Sequence, residues 1–438
     1  MRQNRSKNAP GLRQTLETHE GGPAKRISPE LMLRRSVTAC MLWENTFYED
    51  GEDVASRIDA LAKQTPPRTV AALAVEARTA MKLRHVPLAL VCALTQHPQH
   101  APGVVCNVLD GVIQRPDELT EFLAIYWKNG RCPLAAQVKR GLARAFQKFN
   151  AYSLAKYNQD GPIRLRDVLF MVHAKPKDDE QAAVWKQLVD GKLPTPDTWE
   201  VALSGGSDKL AVFERLIAED KLGAMALLRN LRNMEQAGVP KQTVRKALKK
   251  LDATRVLPFR FITAARHAPM YEPELEQGLF RCVSERPKFS GQTIVLVDVS
   301  GSMDQTISGK SEITRMDAAC GIAMLARELC EDVRVFSFSQ ELKEVPSRRG
   351  FALRDAIVSS QCHSATRLGQ ALKGLPEYDR IIVVTDEQSA DPVGKPRGRG
   401  YMVNVAPYRN GVGYGAWTHI DGFSEAVLDY IGQSEKSQ

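Results

Sequence analysis

Two periods of apolar residues divide this chain. Between residues 29 and about 270, apolar positions recur three and four residues apart in segments broken by Pro, Gly or Asn, the pattern of amphipathic helices. "EDVASRIDALAKQ", "PRTVAALAVEARTAMKL", "PLALVCALTQH", "PGVVCNVLDGVI", "DELTEFLAIYWKN" and "LAAQVKRGLARAFQKF" follow one another in this way. Helices of about 10–16 residues joined by short turns predict stacked antiparallel pairs, an α-solenoid of HEAT type without a motif at fixed period. Near residue 285 the pattern changes. After the turn-rich "ERPKFSGQ", the continuous apolar runs "TIVLVDV", "VRVFSFS", "RIIVVTDEQ" and "YMVNVAP" alternate with the helical segments "MDAACGIAMLARELC", "FALRDAIVSS", "TRLGQALKGL" and "SEAVLDYIGQ". Strands buried on both faces, with helices between them, predict a doubly wound parallel sheet. The expected organisation is a basic, flexible arm over 1–28, an all-α helical-repeat domain over 29–285, and an α/β doubly wound domain over 286–438.

Composition excludes several classes. The 438 residues are 43% hydrophobic and 25% charged, as in ordinary globular proteins. The longest apolar stretches, around Val86–Leu94 and Ile294–Val297, fall short of the roughly 20 residues that cross a bilayer. The opening "MRQNRSKNAPGLRQ" lacks the apolar region of a secretory signal. Eight cysteines stand singly, with no CxxC pair and no Cys/His cluster at zinc spacing. A cytoplasmic protein with reduced thiols and no membrane partner is expected. The net charge of +9 is uneven: from Arg286 onward 18 Lys and Arg face 19 Asp and Glu, while the first 285 residues carry 42 against 32. That excess favours a polyanion partner, nucleic acid before membrane; the plainer alternative is a solvated face that aids solubility.

The basic excess is patterned. "QVKRGLARAFQKFNAYSLAKYNQ", residues 137–159, has no acidic residue until Asp160. Lys139, Arg140, Arg144, Lys148 and Lys156 alternate there with Phe146, Phe149, Tyr152 and Tyr157. A helix beginning near Pro133 sets Arg140, Arg144 and Lys148 on one face, with Leu142, Phe146 and Phe149 toward the core. Cations beside exposed tyrosines suit a phosphate backbone and unpaired bases. A second basic run, "PKQTVRKALKKLDATR", sets Lys241, Arg245 and Lys249 on one stripe.

A different chemistry is placed in "IVLVDVSGSMD", residues 294–304. Ligands of doubly wound sheets bind at the carboxyl ends of strands, where Asp298 is expected, with Ser300 and Ser302 converging from alternate positions and Gly301 allowing close backbone approach. Thr366 in "HSATRLG" and Asp386 in "VVTDEQ" bring two further oxygens. Five hard oxygens with few charges suit Mg²⁺. Were the serines only helix caps, Thr366 and Asp386 would have no part. A Mg²⁺ hydrolase would need a general base, and no histidine or lysine partner for the nearby Asp304 and Glu387 is set by the sequence. "ISGKS" at 307–311 lacks the earlier glycine of a phosphate loop.

The Asp-x-Ser-x-Ser segment followed by a Thr and an Asp resembles the metal-ion-dependent adhesion site of von Willebrand factor A domains, with "SATR" where that family often has a glycine pair before the threonine. The resemblance implies that Asp298, Ser300 and Ser302 line the ion and that Thr366 and Asp386 bind it directly or through water. "RGLARAFQKFNAYSLAKY", "LRDVLFMVHAKP", "MALLRNLRNM", "LPFRFITAARHA", "VDVSGSMD" and "GFSEAVLDYIG" stand in the order found in the Ro autoantigen (TROVE) family, a likeness running from about Ser36 to Ile431. It implies a ring of HEAT-like repeats closed by a von Willebrand A domain, a monomer in a small ribonucleoprotein. It further implies Y-like non-coding RNA outside the ring, misfolded or single-stranded RNA ends in its hole, and an exoribonuclease partner such as polynucleotide phosphorylase. By that resemblance Arg144, His173 and Lys175 lie on the RNA-binding surface, beside the Lys139, Arg140, Lys148 and Lys156 picked out by charge. The function expected is therefore non-catalytic RNA binding in RNA quality control or degradation. The alternative is a Mg²⁺-dependent adaptor whose A domain grips a partner's carboxylate.

Overall fold

A computed structural model describes residues 16–17, 23–24, 28–38 and 51–435, apart from 80, 82, 100–102, 205, 254–255, 257, 308–311, 407–415, 422–426, 429–430 and 433–434. Most of the arm expected over 1–28 lies outside the described residues; within it β1 (Leu16–Glu17) pairs antiparallel with β2 (Pro23–Ala24). The expected helices then follow: α1 (Pro29–Thr38), α2 (Gly51–Gln64), α3 (Pro67–Thr79), α4 (His85–Thr95), α5 (Val104–Val112), α6 (Asp117–Tyr126) and α7 (Ala136–Phe146). Odd-numbered members pack on odd and even on even, α1 on α3, α3 on α5 and α5 on α7 against α2 on α4 and α4 on α6, the two layers of a helical-repeat stack. Close approach has a sequence cause. A Cβ on Gly141 of α7 would lie 2.8 Å from Cβ of Leu109 on α5, so only glycine lets these helices touch.

The stack carries a buried ion pair. Arg78 of α3 donates to Glu118 of α6 at 2.6 Å and to the Val112 carbonyl that ends α5 at 2.9 Å. The second Glu118 oxygen accepts from the Gln114 and Arg115 backbone N–H groups. Three helices are thus joined through one guanidinium and one carboxylate.

Next come α8 (Ala151–Tyr157), α9 (Leu165–Val172), α10 (Asp179–Val189), α11 (Trp199–Ser204), α12 (Lys209–Ala218), α13 (Ala224–Gln236), α14 (Lys241–Lys250), α15 (Phe259–His267) and α16 (Glu272–Val283). The sheet strands are β3 (Phe289–Asp298), β4 (Cys330–Phe338), β5 (Leu342–Glu344), β6 (Arg380–Thr385), β7 (Arg399–Asn404) and β8 (Thr418–Asp421), with α17 (Arg315–Leu329), α18 (Gly350–Val358) and α19 (Leu368–Gly374) between them. Their order is β5-β4-β3-β6-β7-β8. All pairs are parallel except β4 with the short edge strand β5. This is the doubly wound order with its switch point between β3 and β6, consistent with a Rossmann-like von Willebrand A domain.

Packing divides the molecule at another place than the change of period. One core runs from Leu33 to Leu188, flanked by Leu193. The next begins at Phe213 and joins the helices α12 to α16 to one face of the sheet, through Val295 and Val297 of β3 and the apolar side of α17. Ile294 and Leu296 face the opposite way, onto α19. The two-layer stack continues across the junction, α13 on α15 on α17 and α14 on α16 on α18. At the far end α1 packs beside β8, so the first helix among the described residues meets the last strand of the sheet.

Candidate metal centre and candidate nucleic-acid interface

The switch point sets two carboxylates side by side. Val297 and Val384 are register partners in the parallel β3–β6 pair, and Asp298 and Asp386 stand at or just past the carboxyl ends of these strands. Both are fully buried, as are Ser300 and Thr366, while Ser302 is half-buried in the turn Gly301–Asp304. Asp298 Oδ1 accepts from the Ser300 N–H at 2.9 Å, and its Oδ2 accepts from the Thr385 hydroxyl at 2.6 Å. The Ser300 and Ser302 hydroxyls lie 3.3 Å apart. Thr366 is drawn in by backbone bonds: Gly301 N–H donates to the Ser364 carbonyl at 3.1 Å, and Ala390 N–H to the Thr366 carbonyl at 2.9 Å. The loops that hold the expected ligands are therefore laced together.

Burial, and after it the neighbouring Asp386 carboxylate, push the Asp298 carboxyl up to about 7. Two oriented carboxylates kept from water stand beside hydroxyls, so this donor set fits a small hard cation. Among the described residues no three His, Cys, Asp or Glu side chains converge; an ion here would fill its shell with hydroxyls and water.

Several neighbours escape sequence reasoning. Thr385, whose hydroxyl fixes Asp298, reads in "VVTDEQ" as one more β-branched strand residue. Arg315 is buried at the start of α17, and its Nη1 donates to the Ser302 carbonyl and to Asp386 Oδ2, each at 3.2 Å. Its signal in the sequence is an arginine opening a helix whose middle is apolar. Contrary to expectation, both Asp304 and Glu387 do have histidine partners, because the fold joins distant loops. His363 Nδ1 lies 2.9 Å from Asp304, and His419 Nδ1 lies 3.0 Å from Glu387. His363 is also engaged through Nε2 with the Val358 carbonyl, and the Glu387–His419 pair is buried. Both pairs brace loops.

The basic residues fall into two groups. On α7, Arg140 and Arg144 are exposed one turn apart and Lys139 is half-buried, while Leu142, Phe146 and Phe149 face the core as the spacing requires. Arg144 donates to Asn107 at 3.1 Å. Helix α9 packs beside α7, and Gln147 donates to the Lys175 carbonyl at 2.8 Å, which brings exposed Lys175 and His173 alongside the end of α7. His173 ends α9 in the left-handed conformation, φ 51°. Lys148, exposed and past the end of α7, donates to the Asp110 and Ile113 carbonyls and pairs with the Asp110 carboxylate. Lys156 lines a different place, a cleft of about 950 Å³ shared with Arg84, Arg115 and Tyr157, where the Arg115 guanidinium lies 4.5 Å above the Tyr157 ring. In the second basic run Arg245 turns toward buried Glu274, 3.6 Å away.

Phe170 was not singled out by its sequence. Leu165, Val168, Leu169 and Val172 take the inward positions of α9, which leaves Arg166, Phe170 and His173 on its outer stripe. Phe170 is 59% exposed and Tyr152 of α8 55%. A large apolar ring on an otherwise polar stripe was the available clue.

Residues 190–286 match the family profile of the TROVE domain. A stretch of 90 residues is 37% identical to telomerase protein component 1 of Mus musculus, covering 19% of this chain and 3% of that protein. The Rattus norvegicus counterpart is 36% identical over 90 residues with the same coverage. The chain thus spans only a small part of these curated relatives. The crystal structure of the Ro (RSR) protein of Deinococcus radiodurans superposes with a TM-score of 0.61 over 93% of this chain and 100% of that one, at 18% identity; at that identity the likeness is one of fold.

Proposed function

We propose, starting from a chain that carries a TROVE-domain match and takes the Ro fold along nearly its whole length, that this protein is a non-catalytic RNA-binding scaffold. The observation that carries the proposal is the joined outer surface of α7 and α9. Arg140 and Arg144 stand one turn apart there, next to Arg166, the exposed Phe170 ring, His173 and Lys175. Guanidinium groups at that spacing neutralise successive phosphates, and an exposed ring offers a stacking face to an unpaired base. A structured small RNA of the Y-like kind is the ligand that uses both. Single-stranded or misfolded RNA ends are the second ligand, within the helical stack that turns back from α1 to β8. Handing such ends to an exoribonuclease such as polynucleotide phosphorylase, in a cytoplasmic ribonucleoprotein with one copy of this chain, is the role that follows.

In the same proposal Asp298, Ser300, Ser302, Thr366 and Asp386 hold a Mg²⁺ ion that supplies a coordination position for a partner's carboxylate. Ultraviolet crosslinking of the native protein in cells, with sequencing of the attached RNA and mass spectrometry of the attached peptides, tests the reading. Adducts on the peptides of α7 and α9 carrying small structured RNAs are expected; adducts confined to other surfaces, or none, overturn it.

A further inference from the structure

Arg315 is a cation already present in the candidate metal centre. Its backbone is fixed at the first turn of α17, where Thr314 caps the helix: the Thr314 hydroxyl accepts from Asp317 N–H at 3.0 Å, and Asp317 accepts from Thr314 N–H at 2.8 Å. Asp317 is in turn gripped by Arg266 of α15, which ties this turn to the helical part. From that anchored position the buried guanidinium reaches the Ser302 carbonyl and Asp386 Oδ2, each at 3.2 Å. It therefore holds two of the loops that an ion would otherwise draw together, and offsets one of the two carboxylate charges of Asp298 and Asp386.

We infer that Arg315 is a built-in counter-cation, which keeps the centre assembled without metal and lowers its affinity for divalent ions. The inference rests on the cation-site reading above and says what kind of site it is. A fixed positive charge beside Asp386 repels an arriving divalent ion. Removing the guanidinium takes a buried charged hydrogen bond from Asp386 Oδ2, a loss that an added ion can repair.

Mn²⁺ binding to the full chain, followed by the electron paramagnetic resonance of free Mn²⁺, tests this on the natural protein and on Arg315→Met, Arg315→Gln, Arg315→Lys and Asp298→Asn. Arg315→Met and Arg315→Gln are expected to bind at least about tenfold tighter than the natural chain, a gain worth about 1.4 kcal/mol per tenfold. Arg315→Lys should stay near the natural value, and Asp298→Asn should lose binding. Thermal midpoints give the second readout: chelator leaves the natural chain unchanged, lowers Arg315→Met and Arg315→Gln, and excess Mn²⁺ restores them. Unaltered affinity in Arg315→Met and Arg315→Gln, with Mn²⁺ still bound by the natural chain, overturns the role of Arg315 and leaves the cation reading standing. Failure of excess Mn²⁺ to restore their fold overturns that role too. Absence of binding in every chain overturns the cation reading and this inference with it.

Discussion

Lys148 and Phe170 exchange the roles that their residue types suggest. The ammonium of Lys148 donates to the Asp110 and Ile113 carbonyls at the end of α5 and lies 3.2 Å from the Asp110 carboxylate. Lys148→Met is therefore expected to lower stability by about 1 kcal/mol, as for a cation at a helix carboxyl end, and to leave RNA affinity unchanged. Denaturant melts and filter binding check the two halves. Phe170→Ala should do the reverse, weakening single-stranded RNA by about 1 kcal/mol or more, the contribution of one stacked base, with an unchanged melt. Residue spacing identified the Arg140 and Arg144 face because both lie inside α7; Lys148 lies past the end of that helix, an end that no glycine or proline in "RAFQKFN" marks. The convergence of the candidate cation ligands was legible for another reason. Their chemistry is local to strand ends, whereas Arg315, His363 and His419 reach their partners only through tertiary contacts.

Among the elements, long ones were the legible ones. The β3, β4, β6 and β7 runs announce themselves as unbroken apolar stretches, while β5 has three residues, two of them exposed, and β8 reads only as "THID". Both lie at the edges of the sheet, where one-sided pairing needs no apolar run. The chain's last described residues are held to this sheet by Glu435, which accepts from Arg380 Nε at 2.6 Å, from Tyr401 at 3.0 Å and from Arg399 at 3.0 Å. Burial works to raise this carboxyl, and the Arg380 bonds outweigh it and hold the group below its usual range. A carboxyl depressed in the folded state stabilises the fold above its unfolded value, about 4.3, and that contribution disappears as the pH falls through the depressed value. Glu435→Gln is expected to cost about 3 kcal/mol at neutral pH, as for a broken buried ion pair. The natural chain should then lose more stability than the variant between about pH 5 and pH 3, which urea melts across that range measure.

At the scale of the molecule, the change of apolar period near residue 285 marks a change of secondary structure inside a continuous core. Periodicity reports which face of an element is buried and is silent about its neighbour, so the packing of α15 on α17 and α16 on α18 could not be read from it. A chain ending at residue 285 uncovers the apolar faces of α15 and α16. It is expected to bind a hydrophobic dye and to melt in two steps, the residues 33–193 stack unfolding last; one cooperative melt without dye binding contradicts this. The same continuity gives the helical part a rigid frame on which α7 and α9 present their cations. The central claim is that those cations hold RNA. Fluorescence anisotropy of a labelled small structured RNA, titrated with the natural chain and with Arg140→Glu/Arg144→Glu over a series of salt concentrations, tests it most directly. Affinity that falls steeply with salt in the natural chain, and a double variant that binds weakly with a slope reduced by about two, one unit per lost phosphate contact, is the predicted result. Equal affinities and equal slopes for the two proteins would contradict it.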